Sequence, residues 1–248
     1  MPPSERDRYD SWFSETFKSD VKAPGSIIAT SWAPETRWGH AAHCALLDIE
    51  VSYVKELIAE ISERNIPGDF AEFGVFEGWW ISTFWQLTEE ARLNRKVFGF
   101  DSFKGLSNPH PTFDGPEWEE GQFACDLETV RTNVKAPTRS RIKLIEGFFS
   151  ESLRTGEASS VGQLAFVRID CDLYEPALQC LTFIGPRLVD GAILVFDDWP
   201  FEIGIGEQRA FAEWLSQVPH LRFEFLFYNT WKHLYLRVHR SQVQIDTA

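Results

Sequence analysis

Apolar positions first fall into a helical rhythm over residues 40–64, where Leu46, Ile49, Val54, Leu57, Ile58 and Ile61 recur at helical spacing. Asn65 to Gly68 then stop that helix. Beyond it, short runs of β-branched and aromatic residues alternate with helical stretches. Strands are expected at 69–73, 97–100, 142–145, 164–169 and 192–196. Helices are expected at 79–93, through 130, at 176–188 and at 207–215, with a Pro/Gly/acid-rich loop over 104–121. Two closely spaced strands, 222–227 and 233–238, joined at Asn229, read as a closing hairpin. The alternation Phe223, Phe225, Phe227 marks a buried strand face. Together these elements predict an α/β fold: a mostly parallel, seven-stranded sheet, helices on both faces, and a C-terminal antiparallel hairpin.

The first 40 or so residues break this order. They mix charges with Trp12, Phe13, Phe17, Trp32 and Trp38 and show no clean period. We read residues 1–40 as an arm or lid on a single domain whose core is 41–248.

Composition narrows the classes. Hydrophobic residues at 44%, with 21 Phe and 10 Trp, supply a real core and exclude global disorder. A net charge of −13 argues against a nucleic-acid partner, because phosphate binding needs a basic face. Cys44, Cys125, Cys171 and Cys180 form no CxxC pair and read as reduced thiols of a cytoplasmic protein. No apolar run approaches the roughly 18 residues of a membrane span. A homo-oligomer is compatible with the chain.

In open α/β sheets, ligands bind beyond the carboxyl ends of the strands. Here every parallel strand finishes in an acid: Glu72 with Gly74, Asp101, Glu146 with Gly147, Asp170 with Asp172, and Asp197 with Asp198. Such a ring suits a cation or a polyol. The first turn is E-x-G-x-x-x-G, from Glu72 through Gly74 to Gly78, whose glycines let a ligand approach the backbone. A tight strand–helix turn explains the same residues, and the dinucleotide spacing G-x-G-x-x-G is absent. Asp101 could accept hydrogen bonds from ribose hydroxyls, or simply cap the Asp-Ser-Phe-Lys-Gly turn it opens.

The densest signal is Asp170-Cys-Asp172 with Asp197-Asp198, two carboxylate pairs delivered to one edge by strands joined through one helix. Hard cations such as Mg²⁺ take oxygen ligands of this kind. The competing reading is that these acids cap helices or pair with Arg168, Arg187 or Arg209. Four converging acids with no neighbouring Lys would repel one another without a cation. Cys171 should face away and pack, and His40 and His43 lack a third ligand and suit a surface or lid role.

At these motifs the chain resembles the macrocin O-methyltransferase family of S-adenosylmethionine-dependent enzymes, over about residues 67–214. The resemblance rests on Pro-Gly-Asp-Phe-Ala-Glu72-Phe-Gly-Val, Phe-Asp101-Ser-Phe-Lys-Gly-Leu, Glu-Gly147-Phe-Phe, Ile-Asp170-Cys-Asp172-Leu-Tyr and Asp197-Asp198. It implies a Rossmann-like class I methyltransferase fold, S-adenosylmethionine as donor, Mg²⁺, and a sugar or glycoside hydroxyl of a natural product as acceptor. Residue by residue, it implies Glu72, Gly74 and Gly78 near the methionine part and Asp101 on the ribose. Ser102, Gly147 and Phe148 fall on the adenine side. Asp170, Asp197 and Asp198 fall on the metal, which leaves Asp172 as general base. Asp172 lies two positions beyond Asp170, so in an extended chain both would face one side, and neither acid motif holds a Lys or His to take the proton instead. The chain departs from the family at Phe76-Glu77-Gly78-Trp79, where relatives carry Trp-Arg-Gly-Gly. Two other readings are a metal-dependent glycosyltransferase built on Asp170-x-Asp172 and a non-catalytic module that binds the cofactor.

Overall fold

The computed structural model describes residues 37–199, 204–229 and 231–241, with side chains from Leu47 onward. Most of the expected arm, and the side chains of His40 and His43, lie outside the described residues. The elements in order are α1 (Arg37–Glu63), β1 (Asp69–Phe73), α2 (Trp79–Glu90), β2 (Val97–Asp101), α3 (Leu127–Asn133), β3 (Ile142–Glu146), α4 (Phe149–Ser152), α5 (Gly156–Ser159), β4 (Leu164–Ile169), α6 (Tyr174–Ile184), β5 (Leu188–Phe196), α7 (Gly206–Leu215), β6 (Leu221–Tyr228) and β7 (Leu234–Arg240).

The seven strands form one sheet in the order β3-β2-β1-β4-β5-β7-β6. β1 to β5 pair in parallel, and β7 lies antiparallel between β5 and β6. The hairpin therefore contributes one reversed strand. Strand order reverses between β1 and β4, which opens the crevice where such sheets bind ligands.

Both faces are packed with aromatic rings. On one face Phe70 of β1 and Phe166 of β4 meet Phe84 of α2. On the other, Phe73 and Phe100 meet Phe183 of α6. Each such ring, taken out of water, stabilises the fold by roughly 1.5–3 kcal/mol. At the far edge Phe196 and Phe223 pack against Phe211 of α7. No described helix is long and apolar enough to cross a membrane.

Several boundaries differ from the sequence reading. The helix expected over 176–188 ends at Ile184, and Leu188 already begins β5. Leu188 and Val189 continue the apolar rhythm of α6, so periodicity alone could not separate them. The helix expected over 79–93 stops at Glu90, where Arg92 turns left-handed (φ 55°). α3 begins at Leu127 behind an Asp126 cap, whose carboxylate accepts from the amides of Glu128 and Thr129. The one-turn helices α4 and α5 are too short to show a period. Ile49 is exposed, and the inward position on that turn of α1 belongs to Glu50. Phe223 is buried, but Phe225 and Phe227 are only partly so, because the β6–β7 register shifts between them.

Candidate functional site

A cavity of about 660 Å³ opens at the carboxyl ends of the parallel strands. One wall is the glycine turn and the ends of β2 and β3, with Gly74, Asp101, Ser102, Gly147 and Phe148. The opposite wall carries Asp170, Asp172, Asp197 and Asp198 from the ends of β4 and β5. Of the strand-end and glycine-turn residues singled out from sequence, Glu72, Gly78 and Glu146 stand back from it.

Gly74 explains the close join of the two walls. Its φ is +92°, and a Cβ there would lie 1.6 Å from the carbonyl oxygen of Asp170. Only glycine lets β1 and β4 end this near each other. Gly78, by contrast, caps α2, and a Cβ would strike Val134 at 2.4 Å. Its absent side chain serves helix packing. Glu72 is fully buried and one of its carboxylate oxygens finds no partner. Burial, with the charge of Asp170 behind it, pushes its carboxyl well above the usual range.

Asp101 performs the cap read from its turn and more. One oxygen accepts the amides of Val75 (2.7 Å) and Phe76 (3.0 Å), and the other accepts that of Phe103 (2.7 Å). One carboxylate thus binds the glycine turn to the loop after β2. Ser102 donates to the Gly105 carbonyl at 2.8 Å and accepts from the Lys104 amide. The Gly147 amide reaches the carbonyl of Asp101 at 2.9 Å, which draws the β3 end alongside.

At the acid wall, Asp170, Asp197 and Asp198 each offer an oxygen within 4.8 Å of the others. Burial raises the Asp170 carboxyl to about 6, against the pull of Arg168. Asp172 reaches the same cavity by a route the extended-chain reading did not foresee. β4 ends at Ile169, and Asp172 is left-handed (φ 61°), so a tight turn rather than strand alternation places it. Burial, and then the hydrogen bond it shares with Asp198, push its carboxyl well above the usual range. A base role needs this group ionised, which a nearby cation would favour. Cys171 is buried and packs in the core, as expected, but it also borders the cavity rather than facing away from it.

The fold supplies partners that the two acid motifs do not contain. Arg168, on β4 and almost wholly buried, ion-pairs with both Asp170 and Asp197 and lies over the Trp80 ring at 4.4 Å. Arg187 and Arg209, the other cations considered, point elsewhere: to the Phe183 carbonyl and to Glu213. His233 stands 2.8 Å from Asp197 through Nε2 and 2.6 Å from Glu50 through Nδ1. Burial raises the Glu50 carboxyl, but His233, Arg168 and the Tyr235 hydroxyl outweigh it and hold the group below its usual value. Glu207, fully buried at the start of α7, accepts the Cys171 amide at 3.1 Å and the Asp198 amide at 3.3 Å. It thereby ties the two acid-bearing loops together. Arg168, one of the partners the sequence allows for these acids, interrupts an otherwise apolar central strand; Glu50 was open to notice too, because it falls on the apolar stripe of α1 with Val54, Leu57 and Ile61.

The macrocin-O-methyltransferase (TylF) family model matches residues 17–214. The chain belongs to the macrocin-O-methyltransferase family. That makes it an O-methyltransferase by family, and the match begins well before the 67–214 span argued from motifs. Among similar proteins of this kind is the 8-demethyl-8-(2,3-dimethoxy-alpha-L-rhamnosyl)-tetracenomycin-C 4'-O-methyltransferase of Streptomyces olivaceus, 26% identical over 175 residues. That match spans 66% of each chain, just under two thirds. Demethyldecarbamoylnovobiocin O-methyltransferase of Streptomyces niveus is 25% identical over 84% of this chain and 79% of its own. The O-methyltransferase NovP shares the fold at a TM-score of 0.64, with 21% identity over 78% of this chain and 80% of that one. A calicheamicin methyltransferase, CalS11, does so at 0.58, with 22% identity over 96% and 94%. For this macrocin-type methyltransferase the glycosyltransferase reading of Asp170-x-Asp172 falls away.

Proposed function

We propose that the protein moves a methyl group from S-adenosylmethionine to a sugar hydroxyl of a natural product, with Mg²⁺ at Asp170, Asp197 and Asp198. The observation that carries this reading is the meeting of the glycine-turn wall and the three-carboxylate wall in one cavity. The chemistry of the donors supports it. Three hard oxygens lie close together, beside buried acids whose pKa values are raised chiefly by burial and further by the neighbouring carboxylates, and a divalent cation would favour their ionised forms. The names of the relatives, which include rhamnosyl and novobiocin substrates, support the acceptor class.

In this reading Gly74 and Asp101 lie along the methionine and ribose parts, while Ser102, Gly147 and Phe148 flank the adenine. The cofactor supplies an already activated sulfonium methyl, and a bound metal supplies a lowered hydroxyl pKa. The chain's own task is alignment of the acceptor oxygen. Asp172, ionised when a cation shares its wall, takes the hydroxyl proton; base catalysis of this kind contributes roughly 10²–10⁴-fold. Arg168 and His233 hold the Asp197 carboxylate, and Glu207 sets the spacing of the two loops.

The test is calorimetry with S-adenosylhomocysteine, together with methyl transfer from labelled donor to rhamnosides. EDTA should abolish transfer and Mg²⁺ restore it. Asp172→Asn should cut the rate far more than cofactor affinity, with the deficit shrinking at high pH. Full turnover by enzyme shown metal-free by elemental analysis would remove the metal from the mechanism.

A further inference from the structure

Asp172 sits on the short turn between the end of β4 at Ile169 and the start of α6 at Tyr174. A non-glycine residue at φ 61° is kept there by its surroundings, and this turn is held at both ends by distant carboxylates. At its start the Cys171 amide donates to Glu207. At its far end the Tyr174 amide donates to one carboxylate oxygen of Asp114 at 2.6 Å, across 60 positions of chain. The other oxygen of Asp114 accepts the His110 amide at 2.7 Å. The first amides of a helix need acceptors, and the residue before the helix usually supplies one from its side chain. Leu173 holds that position in α6 and has no side-chain oxygen to give. Asp114 supplies the cap instead, from the loop between β2 and α3, and its charge suits the positive end of the helix dipole.

The rest of the His110–Asp114 turn is fastened to the same place. The Phe113 carbonyl accepts the amide of Gly206, the first residue of α7, at 2.7 Å. The Phe113 ring stacks on His110 at 4.0 Å, meets Tyr174 edge to face at 5.1 Å, and lies under the Arg209 guanidinium at 3.7 Å. Gly206 in turn approaches the acid turn so closely that a Cβ on it would sit 2.8 Å from the Asp172 carbonyl oxygen. The loop thus ties the starts of α6 and α7 together beside Asp172. Asp114 does not itself line the cavity, so its influence on the reaction passes through the turn it holds.

We propose that Asp114 is a positioning residue: by capping α6 from the β2–α3 loop it holds the left-handed turn that places Asp172 in the cavity. This rests on the reading of Asp172 as base and adds a residue which that reading does not contain. A reacting group misplaced by about 1 Å can lose on the order of 100-fold in rate, so a cap outside the cavity can govern turnover without touching either substrate.

The experiment compares the wild type with Asp114→Ala, Asp114→Asn, Asp172→Asn and the double variant Asp114→Ala/Asp172→Asn. Asp126→Ala, which removes the cap of α3, controls for the loss of a helix cap elsewhere. Hydrogen–deuterium exchange over residues 171–175 is read alongside kcat for methyl transfer to methyl α-L-rhamnoside with Mg²⁺ present. Asp114→Ala should speed that exchange and lower kcat by about 10–100-fold, with calorimetric affinity for S-adenosylhomocysteine unchanged. Asp114→Asn keeps an acceptor for the Tyr174 amide and should recover part of both losses; it carries the comparison if the alanine variant does not fold. Asp126→Ala should change neither. The double variant shows whether Asp114 acts through Asp172. Its kcat should match that of Asp172→Asn alone, whereas an independent structural defect would multiply the two losses. Multiplied losses, or wild-type exchange over 171–175 in Asp114→Ala, overturn the inference. Faster exchange in Asp114→Ala with Asp172→Asn fully active upholds the hold on the turn and sinks the base reading instead. If no form methylates this probe, exchange over 171–175 alone decides.

Discussion

Gly74→Ala isolates the contact on which the two walls of the cavity depend. Two penalties combine there. The φ of +92° disfavours any residue with a Cβ, at about 1–2 kcal/mol. The new Cβ would also sit 1.6 Å from the Asp170 carbonyl oxygen and 2.7 Å from its carbon. Backbone cannot swing aside as a side chain can, so β1 and β4 must separate, a strain of about 1–3 kcal/mol for overpacked sites. The sum is about 2–5 kcal/mol, and at ~2–4 °C per kcal/mol the melting temperature should fall by about 5–20 °C. Gly121→Ala is the control, because its φ is +85° but its Cβ would meet nothing within 4 Å. It should show the conformational penalty alone, about 1–2 kcal/mol. Thermal and urea melts of the three proteins measure the difference. Mg²⁺ titration of the same proteins should show Gly74→Ala weakened and Gly121→Ala unchanged, since the displaced carbonyl belongs to Asp170. Equal destabilisation by the two substitutions, with equal Mg²⁺ affinity, would refute the argument that this approach sets the site.

Two further outcomes follow from hydrogen-bonded carboxylates. Glu207→Ala leaves the amides of Cys171 and Asp198 without their acceptor, at about 1–3 kcal/mol for each buried group, while Glu207→Gln keeps one carbonyl acceptor and should fall between. Melting temperatures in the order wild type, Gln, Ala, with Mg²⁺ affinity falling in step, are expected; equal values for all three would show that Glu207 does not tie the loops. On pH, the bidentate hydrogen bond from Arg237, with Arg64 adding to it, holds the Glu60 carboxyl below its ordinary 4.5. A depressed acid stabilises the fold fully above its unfolded pKa and loses that contribution as pH falls through the folded value. Urea midpoints between pH 6 and 3 should therefore drop more steeply below about 4.5 in the wild type than in Arg237→Met. Parallel acid limbs would count against this pair.

β1 and β4 were legible to the residue, because strands buried on both faces are dominated by apolar and aromatic residues, broken here only by Asp69, Glu72 and Arg168. The acids of the site were legible for a related reason: each stands where an apolar run stops, and chain direction puts all those stops on one edge of a parallel sheet. Where a local pattern was ambiguous, only packing decided. Leu188 passed for the end of α6 until its place in β5 was seen, and Asp172 turned out to be set by a left-handed turn rather than by alternation. Apart from Arg168, the partners of the acids lay beyond any local pattern. His233 meets Glu50 across 183 positions, and Glu207 reaches Cys171 across 36. Sequence periodicity reports which face of an element is apolar, a property of the element alone. Which charges neutralise one another in a low-dielectric interior depends on distances that exist only once the sheet has brought β4, β5, β7 and α1 together.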